Sequence, residues 1–229
     1  MGGVLGRLVS RPRCRRRPLR YPPYTAPVTS RVDRVERIGL FGGTFDPPHV
    51  GHLAAAVNAR HDLDLDVVLL VVANIPWQKV GERTISPAHA RLELVRLAVG
   101  DVEGLEVCDR EIRRGGRSYT ADTVDDLLAE APSSRELFVI VGSDAAEGLP
   151  TWERVDEVRE RAVIVVVDRP GGAGSPPPGW AVERVVVPRL EISSTDLRAR
   201  VAAGRPLDYL VPAAVVSGIN RLGLYRDAR

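Results

Sequence analysis

The chain has 229 residues, a hydrophobic content of 44% and a formal net charge of +2 at pH 7. Its longest apolar run, Val67–Ala73, is far too short to cross a bilayer, and its two cysteines, Cys14 and Cys108, give no disulfide framework. These features exclude a transmembrane helix and a disulfide-rich secreted domain, and they predict a globular protein in a reducing, cytoplasmic compartment with no membrane partner.

The positive charge is concentrated at the amino terminus. Residues 1–31 contain eight arginines and no acidic residue, so the other 198 residues carry a net charge of −6. The segment is rich in Arg and Pro without an apolar period, which predicts a disordered extension ahead of a single folded domain at 32–229. A nucleic-acid tether and a targeting peptide are alternatives to an extension without a role in activity. The acidic domain argues against a nucleic-acid-binding function.

Strands and helices alternate along the folded domain. Predicted strands occupy 35–41, 65–73, 105–108, 137–141, 162–167 and 182–187, and predicted helices include 53–59, 88–99, 120–131, 152–161, 194–203 and 212–222. Continuous β-branched and leucine runs are typical of parallel strands that are covered on both faces. The alternation therefore predicts an α/β fold with a Rossmann-like, doubly wound and mostly parallel sheet.

Polar motifs follow four segments of this pattern. They comprise 42–52 after the first strand, 74–79 after the second, 142–144 after a central strand and 192–198 after the last. Ligands of such sheets bind beyond the carboxyl ends of the strands. We therefore expect these four motifs to meet in one site.

The first motif has the composition of an anion-binding turn. Gly42 and Gly43 allow backbone N–H groups to approach an anion closely. His49 and His52 lie three residues apart at the predicted start of a helix, where the helix dipole favours anions. Gly51 between them is expected to leave room for a ligand. The motif thus indicates contact with phosphate.

The histidine pair has two other interpretations, a zinc site and ordinary surface residues. A structural zinc site would need further ligands, and neither a cysteine pair nor a glutamate-bearing HExxH motif accompanies His49 and His52. Ordinary solvent-facing histidines are the second alternative. We favour phosphate contact and predict no metal ligands in the protein.

The last motif, 192–198, resembles a second anion-binding helix start. Ser194 is predicted as the N-cap, which leaves backbone N–H groups free at the first turn, and Arg198 lies on the same helical face. A simple capping motif with a surface arginine explains the segment equally well. Lys79 is a further candidate, because it is the only lysine beside 31 arginines.

Taken together, the motifs GGTFDPPHVGH and ISSTDLR resemble those of the T/HxGH nucleotidyltransferase superfamily. The intermediate segments PWQK, SYTADT, GSD and PTW are similar to those of bacterial nicotinate-nucleotide adenylyltransferases, and PWQK to actinobacterial members. The resemblance covers about residues 37–225 and implies a nucleotidyltransferase-type fold. The extension at 1–31 is not part of the family pattern.

The resemblance implies a reaction and its partners. Nicotinate mononucleotide attacks ATP in line, without a covalent intermediate, and gives deamido-NAD and pyrophosphate with Mg²⁺ as cofactor. The same chemistry on nicotinamide mononucleotide or phosphopantetheine is the alternative, and a non-enzymatic, Arg-rich nucleic-acid-binding protein is the rival class. A homo-oligomer is compatible with the sequence.

The resemblance also implies roles for individual residues. His49, His52, Lys79 and Arg198 are the expected catalytic residues. The expected ATP-binding residues are Gly42, Gly43, Thr44, Phe45, His49, His52, Gly142, Asp144, Ser194, Thr195 and Arg198. The expected residues for nicotinate mononucleotide are Thr44, Phe45, Lys79, Tyr119, Thr120 and Trp152, with Trp152 stacking on the pyridine ring. Plain core packing of Trp152 and loop packing of Tyr119 are the alternatives for those two.

Overall fold

The computed structural model describes residues 35–76, 85–131, 134–168 and 177–226. Within these residues six strands form one sheet: β1 (Glu36–Gly43), β2 (Val67–Val72), β3 (Leu105–Cys108), β4 (Arg135–Gly142), β5 (Ala162–Asp168) and β6 (Glu183–Val186). The strand order is β3-β2-β1-β4-β5-β6, and every neighbouring pair is parallel. The predicted doubly wound, mostly parallel α/β fold is confirmed. The predicted division at 31/32 lies outside the described residues and stays a prediction.

Helices cover both faces of the sheet. They are α1 (Val50–Asp62), α2 (Ala88–Val99), α3 (Arg110–Arg114), α4 (Thr120–Glu130), α5 (Ser143–Ala146), α6 (Val155–Arg161), α7 (Ser194–Ala202) and α8 (Ala213–Leu222). None of the helices in the described ranges is long and apolar enough to span a bilayer.

Successive side chains of each strand point to opposite faces of the sheet, so the strands contribute to two apolar clusters. Phe138 and Ile140 of β4 pack with α1 and α2 on one face, whereas Leu137 and Val139 pack with α4 and α6 on the other. A third cluster joins α2 to α7 and α8. This burial on both faces is the physical reason for the continuous apolar strands. A strand with one face in water would instead alternate apolar and polar residues.

Short helices account for most differences from the predicted elements. The segment 110–114 forms α3 and 143–146 forms α5, although neither was predicted, since four or five residues contain too little of a helical period to be recognised. The helix predicted at 152–161 begins only at Val155. Trp152 instead follows a 3₁₀ turn, Leu149–Thr151, with extended backbone angles.

Candidate active site

The site lies where the strand order changes direction. From β1 the chain proceeds through β2 to β3, and from β4 through β5 to β6 at the opposite edge. The loops after β1 and β4 therefore diverge, and a crevice opens between them, as in other doubly wound sheets. A cavity of about 260 Å³ occupies this position, with Gly42 and Gly43 of β1 and Gly142 of β4 in its lining.

The three glycines differ in what they accommodate. A Cβ on Gly42 or Gly142 would meet no heavy atom within 4 Å, so both residues leave open space at the ends of neighbouring strands. A Cβ on Gly43 would lie 2.7 Å from the Phe45 ring. Gly43 is therefore needed for the burial of Phe45, whose side chain belongs to the apolar core. Only the backbone of Phe45 is available for the predicted nucleotide contact.

The structure brings His49 and His52 together at the start of α1. His49 is the N-cap residue, and its backbone N–H donates to Nδ1 of His52 at 3.2 Å. The two imidazoles lie with ring centroids 3.7 Å apart, and Phe45 packs edge-on against His52 at a centroid distance of 5.0 Å. Because Nδ1 of His52 accepts a hydrogen bond, the neutral ring carries its proton on Nε2. The local fold thus selects the tautomer in which Nε2 is a donor.

Gly51 has a packing function that was not predicted from the sequence, and its predicted role of leaving room for a ligand stays a prediction. A Cβ at this position would lie 3.0 Å from Nδ1 of His49. The missing side chain makes room for the His49 imidazole itself, which is 4% exposed. His52 is half-buried and is the more accessible of the two rings.

The start of α7 is docked onto the loop between β1 and α1. Ser193, and not the predicted Ser194, is the N-cap: its hydroxyl accepts the backbone N–H of Asp196 at 3.0 Å. Ser194 donates its hydroxyl to the carbonyl of Pro47 at 2.8 Å. The prediction of the cap was wrong by one residue because the sequence contains two adjacent serines, and either serine can cap a helix.

Arg198 makes a second connection to the same loop. Its guanidinium donates to the carbonyl of Asp46 at 2.8 Å and to the hydroxyl of Thr195 at 3.0 Å. Two segments separated by about 150 residues thereby form one polar surface, which we call the phosphate wall after the phosphate contact predicted for it. It consists of His49, His52, Ser194, Thr195 and Arg198.

Arg91 is a buried cation that the sequence interpretation missed. It is 1% exposed, and its guanidinium donates to the carbonyls of Ser86 at 2.9 Å, Thr44 at 2.8 Å and Asn74 at 2.9 Å. One side chain of α2 therefore holds the loops after β1 and β2. A signal was present: Arg91 stands at the start of the i, i+3, i+4, i+7 stripe that continues with Leu94, Val95 and Ala98.

Asp46 connects this loop to the carboxyl-terminal segment. Its carboxylate accepts the hydroxyl of Tyr225 at 2.7 Å and the backbone N–H of Ser86 at 3.4 Å. Burial, followed by the neighbouring Asp46 carboxylate, raises the pKa of Tyr225, so this phenol stays a donor at neutral pH. No local sequence pattern predicts this contact, since the two residues are 179 positions apart.

One wall of the cavity contains the residues expected to bind the pyridine ring. Tyr119, Thr120 and Trp152 all line the cavity. Tyr119 is the N-cap residue of α4 and Thr120 is its first residue, so the positive end of the α4 dipole lies at this wall. The geometry is suited to a planar ring beside Trp152 with a negative group near the start of α4.

Glu111 is a second buried polar residue that the sequence interpretation missed. It lines the same cavity and is 7% exposed. Burial is the largest cause of the raised pKa of its carboxyl, and hydrogen bonds from Ser118 and Thr123 oppose the shift. In the sequence it stands in the charged run REIRR and resembles an ordinary surface glutamate.

Two of the predicted site residues cannot be placed. Lys79 lies outside the described residues, and so does the side chain of Asp144. Among the residues that are described, no group of three or more His, Cys, Asp and Glu side chains is arranged to hold a metal ion.

Comparison with known proteins agrees with this geometry. Residues 40–200 match the family model described as cytidylyltransferase-like. A probable nicotinate-nucleotide adenylyltransferase of Saccharopolyspora erythraea is 44% identical over 197 residues, which cover 85% of this chain and 92% of that protein. A probable nicotinate-nucleotide adenylyltransferase of Exiguobacterium sibiricum is 42% identical over 189 residues, which cover 82% of this chain and 98% of that protein. The chain belongs to the nicotinate-nucleotide adenylyltransferase family.

The fold of this family member is also found in more distant structures. Nicotinic acid mononucleotide adenylyltransferase of Plasmodium falciparum, solved in complex with NaAD, superposes with a TM-score of 0.67 at 14% identity. The match covers 83% of this chain and 97% of that one. The resemblance stated from the sequence motifs is thereby confirmed at the level of the adenylyltransferase family and its fold.

Proposed function

We propose that this chain transfers the adenylyl group of ATP to nicotinate mononucleotide and releases pyrophosphate, which gives deamido-NAD for NAD biosynthesis. The observation that carries the proposal is the position of the β1–α1 loop. The cavity with Tyr119, Thr120 and Trp152 begins at the glycines that end β1, directly before this loop, and the phosphate wall adjoins the loop itself. A pyridine mononucleotide in the cavity would direct its phosphate towards a triphosphate at the wall.

The mononucleotide end is selected by shape and charge. Trp152 would offer a flat apolar surface to the pyridine ring, and the start of α4 at Tyr119 and Thr120 would present the positive end of the helix dipole to the ring substituent. A carboxylate interacts more favourably with a helix amino terminus than a neutral amide does. We therefore expect nicotinate mononucleotide to be preferred over nicotinamide mononucleotide.

The phosphate end neutralises charge. His52 would donate from Nε2, while Arg198 and backbone N–H groups at the start of α7 would hold the outer phosphates. Lys79 would meet phosphate as a point charge, and Gly142 with Asp144 would face the ATP ribose. In phosphoryl and nucleotidyl transfer the protein acts mainly by positioning the reactants and stabilising the charge that develops.

Magnesium is proposed to enter with ATP as part of the substrate. The Asp46 carboxylate, in the loop that leads to the histidines, already accepts hydrogen bonds from Tyr225 and Ser86, so it is a poor candidate for a resident metal ligand. Mg²⁺ usually keeps several waters and binds through substrate phosphate oxygens with one or two carboxylates. The cytoplasmic location and a homo-oligomeric state remain predictions from sequence.

A comparison of acceptors tests the proposed function. The full chain is incubated with MgATP and, separately, nicotinate mononucleotide, nicotinamide mononucleotide and phosphopantetheine, and both pyrophosphate and the dinucleotide product are measured. We expect the highest kcat/KM with nicotinate mononucleotide. Absence of turnover with this acceptor, or a higher kcat/KM with either of the others, would contradict the proposal.

Trp152→Ala tests the assignment of the cavity. Loss of the ring should raise KM for nicotinate mononucleotide by about tenfold, because aromatic stacking contributes on the order of 1–3 kcal/mol per base. KM for ATP should change by less than about twofold. Steady-state kinetics with each substrate varied in turn gives both values, and Trp152→Phe serves as the control that keeps an aromatic surface. An equal rise of both KM values would indicate a packing role instead.

A further inference from the structure

Glu111 has no part in the proposed chemistry, yet its position in the cavity wall requires an explanation. A buried carboxyl group is unfavourable unless hydrogen bonds compensate for its lost hydration. Glu111 is 7% exposed and lies in α3, directly before the loop that leads to Tyr119. Its compensating partners are therefore informative.

One buried hydroxyl group binds this carboxylate: Thr123 donates its hydroxyl to Oε1 of Glu111 at 3.1 Å. The Ser118 side chain lies at the same carboxyl group, where it opposes the rise of the Glu111 pKa. The hydroxyl oxygen of Ser118 accepts the backbone N–H of Asn74 at 2.8 Å.

Ser118 and Thr123 bracket the residues expected to bind the pyridine ring. Ser118 immediately precedes Tyr119, and Thr123 lies one helical turn beyond Thr120. The backbone N–H of Ser118 additionally donates to the carbonyl of Ile75 at 3.1 Å, which attaches the loop to the segment after β2. Glu111 thus fixes the helical end of the segment that forms this cavity wall, and the contacts of Ser118 with Asn74 and Ile75 fix its other end.

We propose that Glu111 is a positioning residue that sets the affinity for the pyridine mononucleotide by holding Thr123, one helical turn beyond Thr120, at the cavity wall. The inference rests on the proposed function, because it assigns this cavity to the mononucleotide. Glu111 acts through the Thr123 hydroxyl and would contact neither reacting phosphate. Its loss should therefore affect one substrate selectively.

The test compares Glu111→Ala, Glu111→Gln and Thr123→Val with the control Glu106→Ala, an exposed glutamate on β3. For each full-length variant, KM is measured for both substrates, nicotinate mononucleotide binding is titrated without ATP, and folding is monitored by thermal unfolding. Glu111→Ala should raise KM and Kd for nicotinate mononucleotide about tenfold, as expected when a buried donor loses its acceptor, with KM for ATP changed less than about twofold. Glu111→Gln keeps one acceptor and should show a smaller rise. Glu106→Ala should match the wild type.

The outcomes separate this inference from the proposed function. Unchanged KM for nicotinate mononucleotide, or an equal rise of both KM values, in the Glu111 variants of an active enzyme would overturn the positioning role. If Glu111→Ala does not fold, the KM values of Glu111→Gln and Thr123→Val are compared instead. A rise for nicotinate mononucleotide alone supports the positioning role, and an unchanged KM or an equal rise for both substrates overturns it. A wild-type protein that neither binds nor converts nicotinate mononucleotide would refute the proposed function, and the inference with it.

Discussion

Replacing His52 by alanine is expected to lower kcat by about two to three orders of magnitude, the usual cost of removing one preorganised donor from developing charge. His52 is the accessible imidazole of the pair, and its hydrogen bond from the His49 backbone leaves Nε2 as the proton-bearing nitrogen. The fold should persist, because the ring is only half-buried and its loss removes one bond at a helix start, worth about 0.5–2 kcal/mol. Pyrophosphate release at saturating substrates measures the effect.

The matched control for this variant lies on the same helix. His61 is exposed in the last turn of α1, far along the helix from the phosphate wall, so His61→Ala should keep wild-type kcat. Circular dichroism and thermal unfolding confirm that both variants are folded. A His52→Ala enzyme with near-wild-type kcat would refute the assigned role.

Replacing Arg91 by methionine is expected to lower the free energy of unfolding by about 3 kcal/mol or more. The change keeps an unbranched side chain in α2 but leaves the carbonyls of Ser86, Thr44 and Asn74 without the guanidinium donors. Each buried group that loses its partner costs on the order of 1–3 kcal/mol. Urea unfolding, with the m-value compared between proteins, provides the measurement.

Arg96→Met is the control for the same helix. Its side chain is 60% exposed and lies 3.8 Å from the Asp109 carboxylate, so its removal should change stability by less than about 1 kcal/mol. Arg91→Lys keeps the positive charge but not the planar guanidinium group. It should therefore recover only part of the free energy of unfolding that Arg91→Met loses. If Arg91→Met unfolds at the same urea concentration as Arg96→Met, the three carbonyl contacts do not support the fold.

Local patterns were sufficient for the regular elements. The helix at 88–99 has its predicted bounds, because four apolar residues of one stripe fall within three turns and a proline precedes them. The strand predicted at 105–108 also has its predicted bounds, Leu105–Cys108. Such signals depend only on residues a few positions apart, so one sequence without homologues is enough to recognise them.

Motif spacing was sufficient for the family but not for the contacts inside the site. The glycines of 42–43 and the histidines at 49 and 52 were correctly placed at one strand-to-helix junction. Spacing did not predict the packing in the site: Gly51 accommodates His49, Gly43 accommodates Phe45, and the Phe45 side chain is core. These contacts follow from the packing of bulky rings, which depends on backbone angles that the residue types leave open.

By itself, the sequence determined the parallel α/β architecture and the adenylyltransferase family, and it placed the candidate site at the carboxyl ends of the strands. Apolar periodicity and motif spacing suffice for this because they are properties of short segments. Only the tertiary structure decided which polar residues hold that site together. Arg91, Glu111 and Tyr225 hydrogen-bond groups 12 to 179 positions away in the chain. A buried polar side chain is stable only through such partners, and the fold alone determines which partners are near.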